Sequence, residues 1–234
     1  MNIKVIGHSN VMGKSFYSSF LLDNILISTP PGILKELQKM DVNIDNINII
    51  IIPHLHGEEY FDLPMIIAHE KERKRQKPLI IIGPKNLKQK VKKLIKMGFN
   101  ESYLNDLKIN FINAETVQNA NLTGDYYFTF INIKHSNLKN AYGLIIKNEK
   151  TSIAFTAGAS ICPGLSYMLR EVKNCIIDVA NNETKNTLTI KEFQGLTENF
   201  SLNFFPISYL DDIIPELQEI KNAKIIKTGE QFYI

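Results

Sequence analysis

Ile47-Asn48-Ile49-Ile50-Ile51-Ile52-Pro53-His54-Leu55-His56-Gly57-Glu58-Glu59-Tyr60-Phe61-Asp62-Leu63-Pro64 is the stretch on which the reading of this chain turns. Residues 47 to 52 are almost wholly apolar and β-branched, which is how a strand buried on both faces reads. Pro53 ends the run, because proline has no N–H to give to a ladder. Ligands gather outside the carboxyl ends of sheet strands, and there two histidines stand one residue apart. Side chains alternate along extended backbone, so His54 and His56 can face the same way. Two imidazoles on one side, with Glu58 and Glu59 just beyond, form a donor set suited to zinc or another first-row transition metal. A solvated loop with two unliganded histidines fits the same spacing, since His-x-His alone is a weak motif.

Working outward, the pattern alternates between strands and helices. On the amino-terminal side, Asn2 to Ile6 alternates as a strand. Ser15 to Leu22 and Asn24 to Ser28 read as two strands joined at Asp23-Asn24. Thr29-Pro30-Pro31-Gly32 is a breaker, and Ile33 to Met40 carries apolar residues at helical spacing. On the other side, Phe61 to Lys74 and Lys85 to Met97 read as helices around a buried strand, Leu79 to Ile82. Strands are expected at Lys108 to Ile112, Tyr126 to Lys134, Tyr142 to Ile146, Thr151 to Thr156, Cys175 to Val179 and Leu202 to Phe205. Helices are expected at Pro163 to Val172, Ile190 to Phe200 and near Pro215 to Ile220, with short strands at Lys224 to Lys227 and Gln231 to Ile234. Periodicity and composition support an α/β assignment, with two mixed sheets flanked by helices as a consistent architecture.

The chain has 234 residues, of which 44% are hydrophobic and 22% charged, enough apolar material for one core-bearing domain spanning 1–234. The net charge of +3 is too small to argue for nucleic acid on its own. Lysines gather locally at Lys71 to Lys77 and along Lys85 to Lys96, where solvated helix faces are the simpler reading and a phosphate-facing patch the sharper one. His8 and His69 read most simply as surface histidines, and Asp178 ends a buried strand where it can border a site or cap the next segment. Cys162 and Cys175 form no Cys-x-x-Cys pair, so neither a disulfide framework nor a cysteine zinc site is expected. Met1 to Gly7 lacks the charge and apolar order of a signal peptide. No apolar run approaches membrane-spanning length, so no membrane partner and a cytoplasmic location are the expectations.

His54-Leu55-His56-Gly57, with Leu63-Pro64 in register, resembles the metal-binding loop of metallo-β-lactamase-fold hydrolases, and most of all the ribonuclease Z-like branch. Four other segments extend the likeness over the whole chain: Ile27 to Leu34, Gly83-Pro84, His135-Ser136 followed by Tyr142-Gly143-Leu144-Ile145, and Ile153 to Ser160. The resemblance implies a four-layer αββα sandwich of two mixed sheets. It implies a first metal site on His54, His56 and His135. It also implies a phosphate-containing ligand or RNA as partner, and a homodimer, as is common in that branch.

The second metal site of the family is not matched. Glu58-Glu59 stands where the family has Asp-His, and Ala159 where it has the bridging aspartate. Pro206 falls near the last histidine, and Ser28 replaces an early aspartate. No histidine follows His135, so the loss does not depend on the alignment. Two-metal hydrolysis relies on a bridging carboxylate that holds both ions and a shared nucleophile. The reading is therefore a degenerate member of the fold, catalytically impaired or non-catalytic, with a binding role. The alternative is a mononuclear hydrolase of phosphodiesters or related esters. Such an enzyme would use the three histidines, one divalent ion (zinc first, then iron or manganese) and Glu58 or Glu59 as base or fourth ligand. An eroded fold that holds no metal is the third outcome.

Overall fold

The structure, a computed structural model, describes residues 1–99, 101–105, 107–180, 187–209 and 213–234. Short, β-branched runs build two sheets. In the first, β1 (Asn2–Gly7), β2 (Ser19–Leu22) and β3 (Ile25–Ile27) form antiparallel hairpins. The sheet continues in parallel through β4 (Ile49–Ile51), β5 (Leu79–Gly83) and β6 (Ile109–Asn113). The crossovers between parallel strands carry the helices α1 (Ile33–Lys39), α2 (Gly57–Tyr60), α3 (Leu63–Glu72) and α4 (Leu87–Gly98), as parallel pairing requires. The far edge is closed by β14 (Gln231–Tyr233), antiparallel to β1.

The second sheet repeats the scheme. A meander of β7 (Ala120–Asn121), β8 (Tyr127–Asn132), β9 (Tyr142–Lys147) and β10 (Ser152–Phe155) comes first. Then β11 (Asn174–Ala180) joins β10 in parallel and receives both β12 (Leu188–Thr189) and β13 (Asn203–Ile207) along its other edge. The helices α5 (Pro163–Glu171), α6 (Ile190–Asn199) and α7 (Ile214–Glu219) cover it. Thr189 and Glu192 cap α6 reciprocally, which satisfies amides that have no partner inside the helix.

Three apolar clusters match the three interfaces of a four-layer sandwich. One, with Val5, Phe20, Ile51, Phe128, Phe130, Ile153 and Ile176, fills the space between the sheets. A second packs Leu34, Leu37, Ile66, Val91 and Ile95 of the helices against the outer face of the first sheet. The third packs Leu165, Met168, Phe193 and Leu217 against the outer face of the second. The αββα order implied by the resemblance is the order found. Among the described residues no helix is long and apolar enough to cross a membrane.

Three local expectations change. Lys224 to Lys227 forms no strand: Ala223 makes a single bridge to Phe204 and the segment runs on without a ladder. His8 is not on the surface, because its ring packs on Tyr209 and bonds Thr228 Oγ1 at 3.1 Å. The charge run after α3 is not wholly solvated. Arg75 lies buried, 2.7 Å from the Glu70 carboxylate, and donates to the carbonyls of Ile47 and Pro78. That fork closes the loop ends that enter β4 and β5, a use suited to a planar guanidinium. The lysines of α4, in contrast, are exposed on the outer layer.

Candidate metal centre

The site forms where strands of both sheets end. Beyond β4, Ile52 still bonds the carbonyl of Ile82, and the Pro53 carbonyl accepts from Tyr142 N–H of β9 at 3.1 Å, a direct tie between the sheets. Proline therefore stops the ladder and hands the chain to the gap between the layers. His54 enters that gap and is buried. His56 takes the residue before α2 in extended conformation, which turns the chain into the helix. The Glu59 carbonyl accepts from Thr29 N–H, and Asp62 N–H donates to the Thr29 carbonyl, so the Thr29-Pro30-Pro31-Gly32 breaker clamps the loop from below. His135 arrives from the turn after β8.

The structure brings all three sequence-predicted histidines together. Their ring centroids lie 4.8, 4.3 and 5.0 Å apart, and one ligand atom from each falls within 4.8 Å of the others. Both ring nitrogens of His54 are buried without a hydrogen-bond partner. Leaving a buried polar atom unpaired costs about 1–3 kcal/mol, so an arrangement that keeps one is evidence for a ligand the protein atoms do not supply. Burial, reinforced by His135 and His56, holds the His54 pKa well below its usual value. His56 is lowered too, by burial against the opposing pull of Glu58. Neutral imidazole is the form that binds a metal, and three of them with an open position fit a divalent ion.

Glu58 and Glu59 part company. Glu58 is half exposed, with Oε1 3.5 Å from His56 Nδ1, at the mouth of a cleft of about 160 Å³. Glu59 points inward, bonds the Ser28 hydroxyl and stands 3.9 Å from His54 Nε2. Burial, with Asp178 and Glu58 adding to it and Ser28 opposing, pushes its carboxyl up to about 8. The direction of the shift favours the protonated form of the carboxyl.

Sequence reasoning placed the bridging-aspartate position at Ala159, but Ala159 is fully buried in the core behind the second sheet. The neighbour facing the histidines is Gly158, where a Cβ would lie 2.6 Å from the His135 ring. Near Pro206, the residue that reaches the cleft is Ser208. What sequence reasoning missed is a web around Asp178. Its carboxylate accepts from the Gly158 N–H at 2.7 Å, the Thr156 hydroxyl at 3.0 Å and the Ser208 hydroxyl at 2.6 Å. Ser208 Oγ in turn lies 3.2 Å from Ser18 Oγ, and Asn10 Nδ2 donates to the Ser208 carbonyl. The position of Asp178 at a strand's carboxyl end was the available signal; its partners are far apart in the chain and left none. Among the described residues the cleft lining holds no lysine or arginine.

Comparison with known proteins agrees with the fold. Residues 1–232 match a family model described as "Anti-Pycsar protein Apyc1". Among curated relatives, the chain is 22% identical over 209 residues to ribonuclease Z of Clostridium beijerinckii, covering 87% of this chain and 68% of that one. It is 33% identical over 75 residues to ribonuclease Z of Pyrococcus abyssi, covering 32% of this chain and only 24% of the relative. Among solved structures, the short form of human tRNase Z superposes with a TM-score of 0.78 at 13% identity, covering 100% and 99% of the two chains. The metallo-β-lactamase-fold protein YhfI of Bacillus subtilis gives 0.77 at 14%, covering 99% and 98%. Zinc-bound PqqB of Methylobacterium extorquens gives 0.77 at 9%, covering 100% of both.

Proposed function

The chain belongs to the family described as Anti-Pycsar protein Apyc1 and has the metallo-β-lactamase fold of ribonuclease Z-like proteins, and from that premise we propose that it holds one divalent ion on His54, His56 and His135 and binds a phosphate-containing ligand there with hydrolysis impaired or absent. The observation that carries this reading is the ligand count. Among the described residues the only group of three or more histidine, cysteine or acidic side chains whose ligand atoms converge is this one. The positions where a second ion would find donors hold Gly158, which has no side chain, and Ser208. Glu59 and Asp178 are committed to Ser28, Thr156, Gly158 and Ser208, and Glu58 lies beside His56, 3.5 Å from its Nδ1.

His54, from its buried position, and His56 and His135, nearer the cleft, are the donors. A divalent ion bound there supplies Lewis acidity toward a phosphoryl or carbonyl oxygen. His135 keeps its orientation by donating from Nδ1 to the Gly158 carbonyl at 2.6 Å, which turns Nε2 toward the other two rings, 3.2 Å from His56 Nδ1. Among the described lining residues there is no lysine or arginine, so a bound ion would add positive charge that those side chains do not supply.

Plasma mass spectrometry of the purified protein should give about one zinc, iron or manganese per chain, lost in His56→Ala. Bis-p-nitrophenyl phosphate should turn over negligibly with any of the three ions added. Two ions per chain, or no metal after incubation with each, would overturn the site; robust turnover would overturn the impaired reading alone. A mononuclear hydrolase is the second reading, favoured by Glu58, which borders both His56 and the cleft where a base could act. In that case Glu58→Gln would abolish turnover and leave the metal in place.

A further inference from the structure

The turn that follows β10 has an unusual backbone. Ala157 has φ of 52° and Gly158 of 79°, so two successive residues lie in the left-handed region, which costs about 1–2 kcal/mol at Ala157 and nothing at the glycine. A turn of that kind persists when its surroundings over-determine it. Here the fixing group is Asp178, at the end of the neighbouring parallel strand β11. One carboxylate oxygen accepts from both the Thr156 hydroxyl and the Gly158 N–H, straddling Ala157. Asp178 N–H donates back to Thr156 Oγ1 at 3.1 Å. The Gly158 carbonyl then accepts from His135 Nδ1. A metal-binding histidine is oriented, and its tautomer set, by what its other nitrogen bonds.

We infer that Asp178 is a positioning residue for the metal centre: it shapes the Thr156–Gly158 turn so that the Gly158 carbonyl holds His135 with Nε2 turned to His54 and His56. The metal part of this inference rests on the three-histidine reading above; the tautomer part does not. Its second oxygen holds Ser208, which is joined to Ser18 and Asn10, so the same residue ties this turn to the loops of the first sheet. The Asp178 carboxylate thereby acts on the His135 ring through one peptide unit.

The test uses the full chain with nitrogen-15 in its histidines, as wild type, Asp178→Asn, Asp178→Ala and Ser208→Ala. In the metal-free protein, long-range proton–nitrogen correlation should show His135 as the Nδ1–H tautomer in wild type and in Ser208→Ala, which leaves the Gly158 side of the carboxylate intact. Asp178→Ala should give mixed tautomers, and Asp178→Asn a smaller change. Zinc titration against a chromophoric competitor should then show affinity lower by about 10- to 100-fold in Asp178→Ala, with Ser208→Ala near wild type. A purely structural role would lower the melting temperature in every variant and leave the tautomer and the affinity unchanged, and that outcome overturns the inference. Should Asp178→Ala fail to fold, the comparison of Asp178→Asn with Ser208→Ala decides by the same criteria. If wild type takes no zinc but the tautomers change as stated, the metal reading fails and the positioning role stands.

Discussion

The two sides of the cleft treat their polar atoms in opposite ways. On one side three imidazoles converge, and His54 keeps two buried nitrogens with no partner. On the other, Asp178, Ser208 and Ser18 close on themselves in a hydrogen-bonded web, and Glu59 is paired separately with Ser28. Buried polar groups are costly when unmatched and rigidifying when matched. The first side is therefore kept at a cost in stability and the second is already complete. That contrast supports a protein that retains one ligand site and has converted the other into scaffold.

The largest effect should come from Gly158. Restoring a carboxylate by Gly158→Asp puts a Cβ 2.6 Å from the His135 ring at a φ of 79°. We expect His135 to be displaced, metal affinity to fall more than about 100-fold and stability to drop by about 1–3 kcal/mol. Zinc stoichiometry and urea unfolding would check it; a gain of a second ion would break the contrast drawn above.

His54→Leu should act in the opposite direction on stability. It removes the unpaired buried nitrogens and should stabilise the metal-free protein by about 1–2 kcal/mol while abolishing metal binding. A chelator-treated unfolding curve no more stable than wild type would show that His54 has a partner after all.

Glu59 gives the pH dependence of the closed side. Its folded pKa is raised from 4.5 to about 8, so the folded protein keeps a proton that the unfolded chain has lost. Its stabilising effect is present below pH 4.5 and is lost as pH rises toward 8. His54 works the other way, because its lowered pKa adds stability as pH rises to 6.5 and nothing beyond. Between pH 6.5 and 8 the metal-free protein should therefore lose stability, and Glu59→Gln should remove that slope. An unchanged slope in the variant, followed by thermal melts in chelator, would show that Glu59 is already ionised. The smallest effect is expected from Ser18→Ala, about 0.5–1.5 kcal/mol for the hydroxyl's two contacts, with the Ser9 carbonyl and Ser208 Oγ, at the web's edge, with metal affinity unaltered.

Much of this was legible from local pattern. The β-branched run before Pro53 announced a central strand, and His-x-His at its end announced the site. His135 was recovered only through the resemblance, since nothing within its own turn marks it. Glu58 and Glu59 looked equivalent in sequence; both line the cleft, and greater burial together with the Ser28 hydroxyl sets Glu59 apart. Arg75 and the Asp178 web were hidden for a common reason. Their partners, Glu70 with Ile47 and Thr156 with Ser208, are brought together by tertiary packing, and side-chain type says little about which charge of a run will be buried. The offset between Ala159 and Gly158 is a register question, and one residue of slip exchanges a core face for a site face.

Gly158 also bears on how such a chain can change. An aspartate one nucleotide or several away is of no use while His135 occupies the space its side chain needs. Regaining a bridging group would take at least a coordinated second change that moves the imidazole or reshapes the turn. On the single-ion reading proposed above, each half-step would weaken that site before a second could form. The close packing of one ring against one hydrogen atom would then work as a ratchet, tolerating change around the single-ion arrangement and resisting a one-step return of a carboxylate at Gly158.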